Sequence, residues 1–211
     1  MKPIYRLLLS AIVALCVAAP AAQAQTVIEE WNTAKFPPPP LKPAKIDAKE
    51  TALLVMDFTV QTCTVQRRPR CAASVPKVLK FVNEARAKGA LIIYSVAVPN
   101  SVPADILKEL TPAAGEQVLP PPGPDKFINS DLEKTLKDKH ITTVVAMGTQ
   151  AQTSVLHTGA TAALKGFKVI VPVDGMSGDD AWPEAYTAWH LANAARIGPQ
   201  VTLTRMDMIK F

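Results

Sequence analysis

Between residues 52 and 204, short apolar runs alternate with stretches of helical periodicity, and no other feature restricts the fold as strongly. The runs are residues 52–56, 91–98, 117–119, 141–147, 167–173 and 201–204. They have strand length and are largely continuous in their apolar character, the pattern of parallel strands covered on both faces. Between them the spacing predicts helices. Ser74 is a candidate N-cap with Pro76 in the first turn, and Val78, Leu79, Val82 and Ala85 recur at helical spacing up to Gly89. A short helix is expected over residues 104–110. Ser130 is expected to cap a helix through Lys139, with Asp131 and Glu133 where anions suit the helix dipole. Further helices are expected over residues 151–165, ended by Gly166, and over residues 183–196. Strands alternating with helices imply right-handed crossovers and a doubly wound, three-layer α/β domain. Such sheets bind ligands at the carboxyl ends of their strands, near a topological switch point.

Composition narrows the class. A chain of 211 residues with 48% apolar side chains can bury a core and is not disordered in the main. Three Cys exclude a disulfide-dense scaffold, and three His argue against a His-built metal centre. Residues 1–24 read as a secretory signal peptide: Lys2 and Arg6 precede an apolar run over residues 7–19, and Ala22, Gln23 and Ala24 form an A-x-A cleavage site. The run falls short of the ~20 residues that span a bilayer. The expected protein is therefore exported, periplasmic or secreted, with no membrane partner after cleavage. Losing Lys2 and Arg6 lowers the formal charge from +5 to +3, which is not a nucleic-acid footprint. Cys16 leaves with the leader. Cys63 and Cys71 remain, and in an oxidising compartment they are expected to pair, two independent thiols being the alternative. Such a small loop contributes roughly 2–3 kcal/mol by the chain-entropy model, and would brace Arg67, Arg68, Pro69 and Arg70. Residues 25–50 read as a Pro-rich arm in which Pro37 to Pro40 adopt polyproline II, and residues 51–211 as the folded domain.

Three sites carry candidate chemistry. Asp57 directly follows five apolar residues, which puts a carboxylate at the mouth of the sheet; a loop or N-cap carboxylate is the alternative. Lys126 precedes the helix capped by Ser130, and taken alone reads as a surface lysine. Residues 148–154 join a strand to a helix, where free backbone N–H groups can hold a developing oxyanion, although a tight connection would look the same.

In order and spacing, "LLVMD", "DKFINSDLEKTLKDKHITTVVAMG" and "GTQAQTSVLHTGATAALKGFKVIVPVDG" resemble the isochorismatase-like hydrolases, also called the cysteine hydrolase superfamily. The resemblance runs from about residue 51 to residue 176 and implies a Rossmann-like domain with a six-stranded parallel sheet of order 3-2-1-4-5-6. In the family's amidases an Asp, a Lys and a Cys form the catalytic set. These match Asp57 and Lys126, but the nucleophile position holds Ser154. The resemblance further implies a non-proline cis peptide at Thr149–Gln150, with backbone N–H groups of Gln150 and Ser154 facing an oxyanion. Nicotinamidases of the family carry an Asp/His metal site near the first strand. No His lies between Asp57 and Lys126, so no metal and no other cofactor is expected.

The missing thiol changes the expected mechanism. A thiol titrates near pH ~8.5, within reach of a carboxylate–lysine pair, whereas a serine hydroxyl is far less acidic. The family's isochorismatase branch hydrolyses a vinyl ether without a thiol, its first-strand Asp acting as general acid. That reading ranks first here, acting on a small-molecule substrate. A Ser-dependent amidase and a catalytically silent binding protein are the alternatives. Phe58, Thr149 and His157 are candidate pocket residues, His157 as a conceivable base or as a side chain packed against the sheet. Arg67, Arg68 and Arg70 read as a solvated loop that can attract an anion. The resemblance is compatible with a homo-oligomer.

Overall fold

The computed structural model describes residues 26–33, 35, 37–121 and 123–211. The expected leader, residues 1–24, lies outside them. The chain divides into two compact units, the second being Pro37–Phe211. In the first, residues 27–33 form successive turns, closed by the Thr33 N–H donating to Glu30 O at 2.9 Å.

Among its described residues the second unit holds nine strands: β1 (Ala44–Lys45), β2 (Thr51–Met56), β3 (Leu91–Ser95), β4 (Gln117–Leu119), β5 (Thr143–Thr149), β6 (Lys168–Pro172), β7 (Met176–Ser177), β8 (Val201–Thr204) and β9 (Ile209–Lys210). Its four α-helices are α1 (Pro69–Ala87), α2 (Leu132–Asp138), α3 (Leu156–Leu164) and α4 (Ala181–Asn193). The main sheet runs β4-β3-β2-β5-β6-β8, with every pairing parallel. Counted along the chain, this is the order 3-2-1-4-5-6. A seventh strand that the periodicity did not announce, the two-residue β7, pairs with the end of β5. β1 and β9 form a separate parallel pair.

The two central strands explain the continuous apolar runs. All residues of β2 and β5 are buried, and their side chains alternate between two cores. Ala52, Leu54 and Met56 join Val144 and Ala146 in a core shared with Leu132 and Leu136 of α2, Leu156 of α3 and Leu191 of α4. Leu53 and Val55 face the other way, with Val145, Met147 and the α1 stripe of Cys71, Val75, Val78, Val82 and Ala85. Each fully buried Leu or Val there contributes roughly 1.5–3 kcal/mol. Gly148 is required where β2 and β5 meet at the carboxyl end, because a Cβ there would lie 2.7 Å from Met56 O.

Element ends depart from expectation in several places. Helix α1 starts at Pro69 instead of Ser74, since Pro at the first helical position is pre-set for the helix. Ser74 lies inside the helix and donates to Cys71 O at 2.8 Å. The helix expected over residues 104–110 is two 3₁₀ turns, Pro103–Asp105 and Lys108–Leu110. The strand expected over residues 141–147 is shifted by two, to Thr143–Thr149. Ahead of α3 the chain makes a π-helical turn over Ala151–Val155. The proline run, residues 37–40, lies along Trp189 and residues 201–203, and the Lys42 N–H donates to Leu203 O at 2.9 Å on edge strand β8.

Candidate active site

The carboxyl ends of β2 and β5 are neighbours at the switch point, and the chemistry-bearing residues converge there. Asp57 follows β2 with φ of 64°, a left-handed turn that Asp tolerates better than most side chains. The turn is held by the Asp57 N–H donating to Ser95 O at 3.1 Å, and by Thr59 N–H and the Thr62 hydroxyl donating to Asp57 O. It points the carboxylate into the molecule, where its side chain is only 4% exposed.

Lys126 reaches the same point from the turn ahead of α2. Its ammonium lies 2.8 Å from Asp57 Oδ2 and donates to Gly123 O at 2.9 Å, with the side chain 1% exposed. Helix α3 fixes that turn. Thr158 Oγ1 accepts from the Lys126 N–H at 3.1 Å, and Thr161 Oγ1 donates to Asp125 Oδ2 from one turn further along. Ser154, in the π-turn that leads into α3, donates to Asp57 Oδ2. One helical unit therefore positions Lys126 and Ser154 against the carboxylate.

Ser95 completes the set and was missed in the sequence. It ends β3 and donates to Asp57 Oδ1 at 2.6 Å. A polar residue closing an apolar strand beside the Asp57 strand was the available signal. The carboxylate thus meets one ammonium and two hydroxyls.

A cleft of about 250 Å³ opens over this carboxylate, lined by Asp57, Thr62, Arg67, Arg68, Ala97, Val98, Gly123, Pro124, Thr149, Gln150, Thr153 and Ser154. The peptide bond Thr149–Gln150 is cis. Gln150 and Ser154, whose backbone N–H groups were expected to face an oxyanion, both line the cleft, as does Thr149.

Two candidate pocket residues do not belong to it. His157 is exposed and does not line the cleft. The buried stripe of α3 runs through Thr158, Gly159 and Ala162, and His157 falls outside it, neither near the carboxylate nor against the sheet. Phe58 is 1% exposed in the α1-side core, because the left-handed turn at Asp57 sends the next side chain inward.

Sequence reasoning also misplaced Arg68. Its guanidinium is buried, with Nη1 donating to Thr62 O at 2.8 Å and Thr149 Oγ1 at 3.0 Å, and Nε donating to Asp179 Oδ1 at 2.9 Å. Gln150 Nε2 donates to the other oxygen of Asp179 at 2.9 Å, so Asp179 ties the β5 turn to the Arg68 loop. Cys63 and Cys71 are joined in a disulfide that brackets this loop. Arg70 pairs with Glu184, whose carboxylate holds its guanidinium above the ordinary arginine range. Among the described residues, no group of three or more His, Cys, Asp or Glu is clustered as a metal site requires, and no helix is long and apolar enough to cross a membrane.

The same architecture recurs among solved structures. An isochorismatase family protein from Desulfovibrio vulgaris superposes with a TM-score of 0.66 at 19% identity, over 75% of this chain and 95% of that one. The N-carbamoylsarcosine amidase of Thermoplasma acidophilum gives 0.63 at 22% identity, over 75% and 97%. A nicotinamidase from Staphylococcus aureus gives 0.64 at 18%, over 74% and 99%. At these identities the likeness establishes fold alone. In sequence, the chain is 26% identical over 148 residues to the secreted isochorismatase effector Isc1 of Verticillium dahliae, covering 65% of this chain and 78% of that protein. Residues 51–205 match the isochorismatase domain model, which spans the whole main sheet and every residue of the cleft, and on that match the chain belongs to the isochorismatase family.

Proposed function

We propose that this protein is an exported hydrolase of a small molecule that works by Asp57 acid/base chemistry, without a thiol nucleophile, on a vinyl ether or related C–O bond. The observation that carries the reading is the composition of the buried cluster. Asp57 is met by Lys126, Ser154 and Ser95, and both cysteines of the described residues are tied to each other in a disulfide. Ser154 stands where the family's amidases carry their thiol.

In this mechanism protonated Asp57 delivers its proton to the terminal enol-ether carbon. Water then adds to the resulting oxocarbenium carbon and gives up a proton to the Asp57 carboxylate, and the hemiketal collapses, its hydroxyl proton passing to the departing oxygen, to a carbonyl compound and an alcohol. The Ser154 hydroxyl suits both halves of the cycle, since it can accept from a protonated Oδ2 or donate to an ionised one. Lys126 neutralises the carboxylate once the proton has left. Gly123 O fixes the ammonium in place.

Export is supported by the Cys63–Cys71 bridge, which belongs to oxidising compartments, by the leader expected over residues 1–24, and by the word "secreted" in the name of the Verticillium relative.

A second reading, a Ser-dependent amidase, draws on the Ser154–Asp57 hydrogen bond. The test is a panel of enol ethers, amides and ureides assayed with the native chain and two variants. Turnover of an enol ether is expected. Asp57→Asn should lower it about 10²–10⁴-fold, and Ser154→Ala should leave it within about tenfold. Amide turnover abolished by Ser154→Ala would establish the second reading. Undiminished activity in Asp57→Asn would overturn both, and ligand binding without any turnover would make the protein a silent binder.

A further inference from the structure

The loop closed by Cys63 and Cys71 gives the cleft two cations, Arg67 and Arg68, which the mechanism above leaves unused. A guanidinium has five N–H donors. Arg68 spends one on Asp179, one on Thr62 O and one on Thr149 Oγ1, which leaves the pair on Nη2 without an acceptor among the described residues. Arg67 has an exposed side chain that forms no ion pair among the described residues.

Charge in the cleft is unevenly balanced. Lys126 and Asp57 neutralise each other inside the protein. Asp179 is 58% exposed and divides its two oxygens between Arg68 and Gln150. The charge of Arg67 is left over, so the lining carries a net positive excess suited to a monoanion.

The loop is also pre-set. The disulfide closes it, the Arg68 N–H donates to Thr64 O at 2.8 Å, the Arg67 N–H donates to Thr64 Oγ1 at 3.1 Å, and Arg68 O accepts from the Ala72 N–H at 3.2 Å. Donors already ordered before a ligand arrives lose less entropy on binding it.

We propose that this disulfide-closed loop is an anion seat, in which Arg68 through Nη2 and Arg67 at the mouth grip a carboxylate or comparable monoanionic group on the substrate. The reacting bond is thereby placed over Asp57; only that last step rests on the hydrolase reading. The sequence alone had Arg67 and Arg68 in a solvated loop that can attract an anion, and Arg68 is instead a buried, specificity-determining residue of the cleft.

The test is equilibrium binding to the full chain, followed by ligand-observed NMR, of benzoate and its neutral isostere acetophenone. No turnover is involved, so a failed hydrolase reading and a failed anion seat give different results. Benzoate is expected to bind about tenfold or more tightly at low salt, as charge-assisted hydrogen bonds to a guanidinium require. Arg67→Gln should cut that preference about threefold, and the pair Arg67→Gln/Arg68→Gln should bring the two ligands to within about twofold. Cys63→Ser/Cys71→Ser should weaken benzoate about threefold or more while leaving acetophenone unchanged. Because Arg67 is exposed, its single substitution tests the proposal even if the double variant fails to fold. Equal binding of benzoate and acetophenone to the native chain would overturn the proposal, and so would a preference that loss of Arg67 leaves undiminished.

Discussion

Lys126 and Arg68 arrive at one cleft from different loops, and both side chains are almost wholly buried, at 1% and 4% exposure. Their counter-charges differ. Asp57 is 4% exposed, so the lysine's pair is dry on both sides, whereas Asp179 is 58% exposed, so the arginine's pair has one member in water. A dry pair is costly to assemble and costlier to break, because removing one member strands a charge in a low-dielectric interior. A half-hydrated pair loses little when broken, since water takes the place of the lost partner. The Lys126 charge is committed to Asp57, and the Arg68 charge remains partly on offer. On the proposals made above, the contrast separates the group that supports chemistry from the group that reads a ligand.

The largest effect that this comparison predicts is at Lys126. Lys126→Met leaves the Asp57 carboxylate with two hydroxyls and no cation, and should destabilise the fold by about 3–5 kcal/mol in urea unfolding at neutral pH. The double variant Asp57→Asn/Lys126→Met removes both charges and should recover most of that loss, a coupling that a double-mutant cycle measures directly. If Lys126→Met proves neutral, the pair is not dry and the contrast with Arg68 disappears.

A smaller effect lies in the loop that carries Arg68. Cys63→Ser/Cys71→Ser should cost roughly 2–3 kcal/mol, the closure entropy of so short a ring. The loss should appear in the unfolding midpoint of the oxidised protein and be matched by adding a phosphine reductant to the native one. An unmoved midpoint with ligand affinity also unchanged would mean that the loop is held by Arg68 and Asp179 instead.

The two cations also differ in how far the sequence disclosed them. The strands were legible because burial on both faces leaves a continuous apolar run, and Asp57 stood out by ending one. Lys126 carried no local signal: its burial depends on Asp57 and α3, both distant in the chain, and only the resemblance over residues 126–174 put it at the site. Arg68 was read as solvated because three arginines in four positions look like a charged loop. What buries it is Asp179, 111 residues away, together with the Thr149 hydroxyl, and no periodicity encodes such a contact. The helix start was written in the chain, since Pro69 is a stronger marker of a first turn than Ser74 is of a cap. His157 could not be placed from spacing alone, because Ser154 lies in the π-turn Ala151–Val155, whose wider turn breaks the three-residue spacing that a continuous α-helix would give.

The smallest predicted effect is the most discriminating. Asp179→Asn keeps an oxygen for Arg68 Nε and removes the charge. Because Asp179 stands mostly in water, the stability cost should be about 1 kcal/mol or less, a fall of roughly 2–4 °C in Tm for a domain of this size. Its effect on ligand binding should have the opposite sign. With the compensating carboxylate gone, the positive excess of the cleft grows, and benzoate should bind about threefold more tightly while acetophenone is unaffected. A stability loss as large as that of Lys126→Met would show that the Arg68 pair is as dry as its neighbour. The arginine would then be a structural pin, with no charge to spare for a substrate.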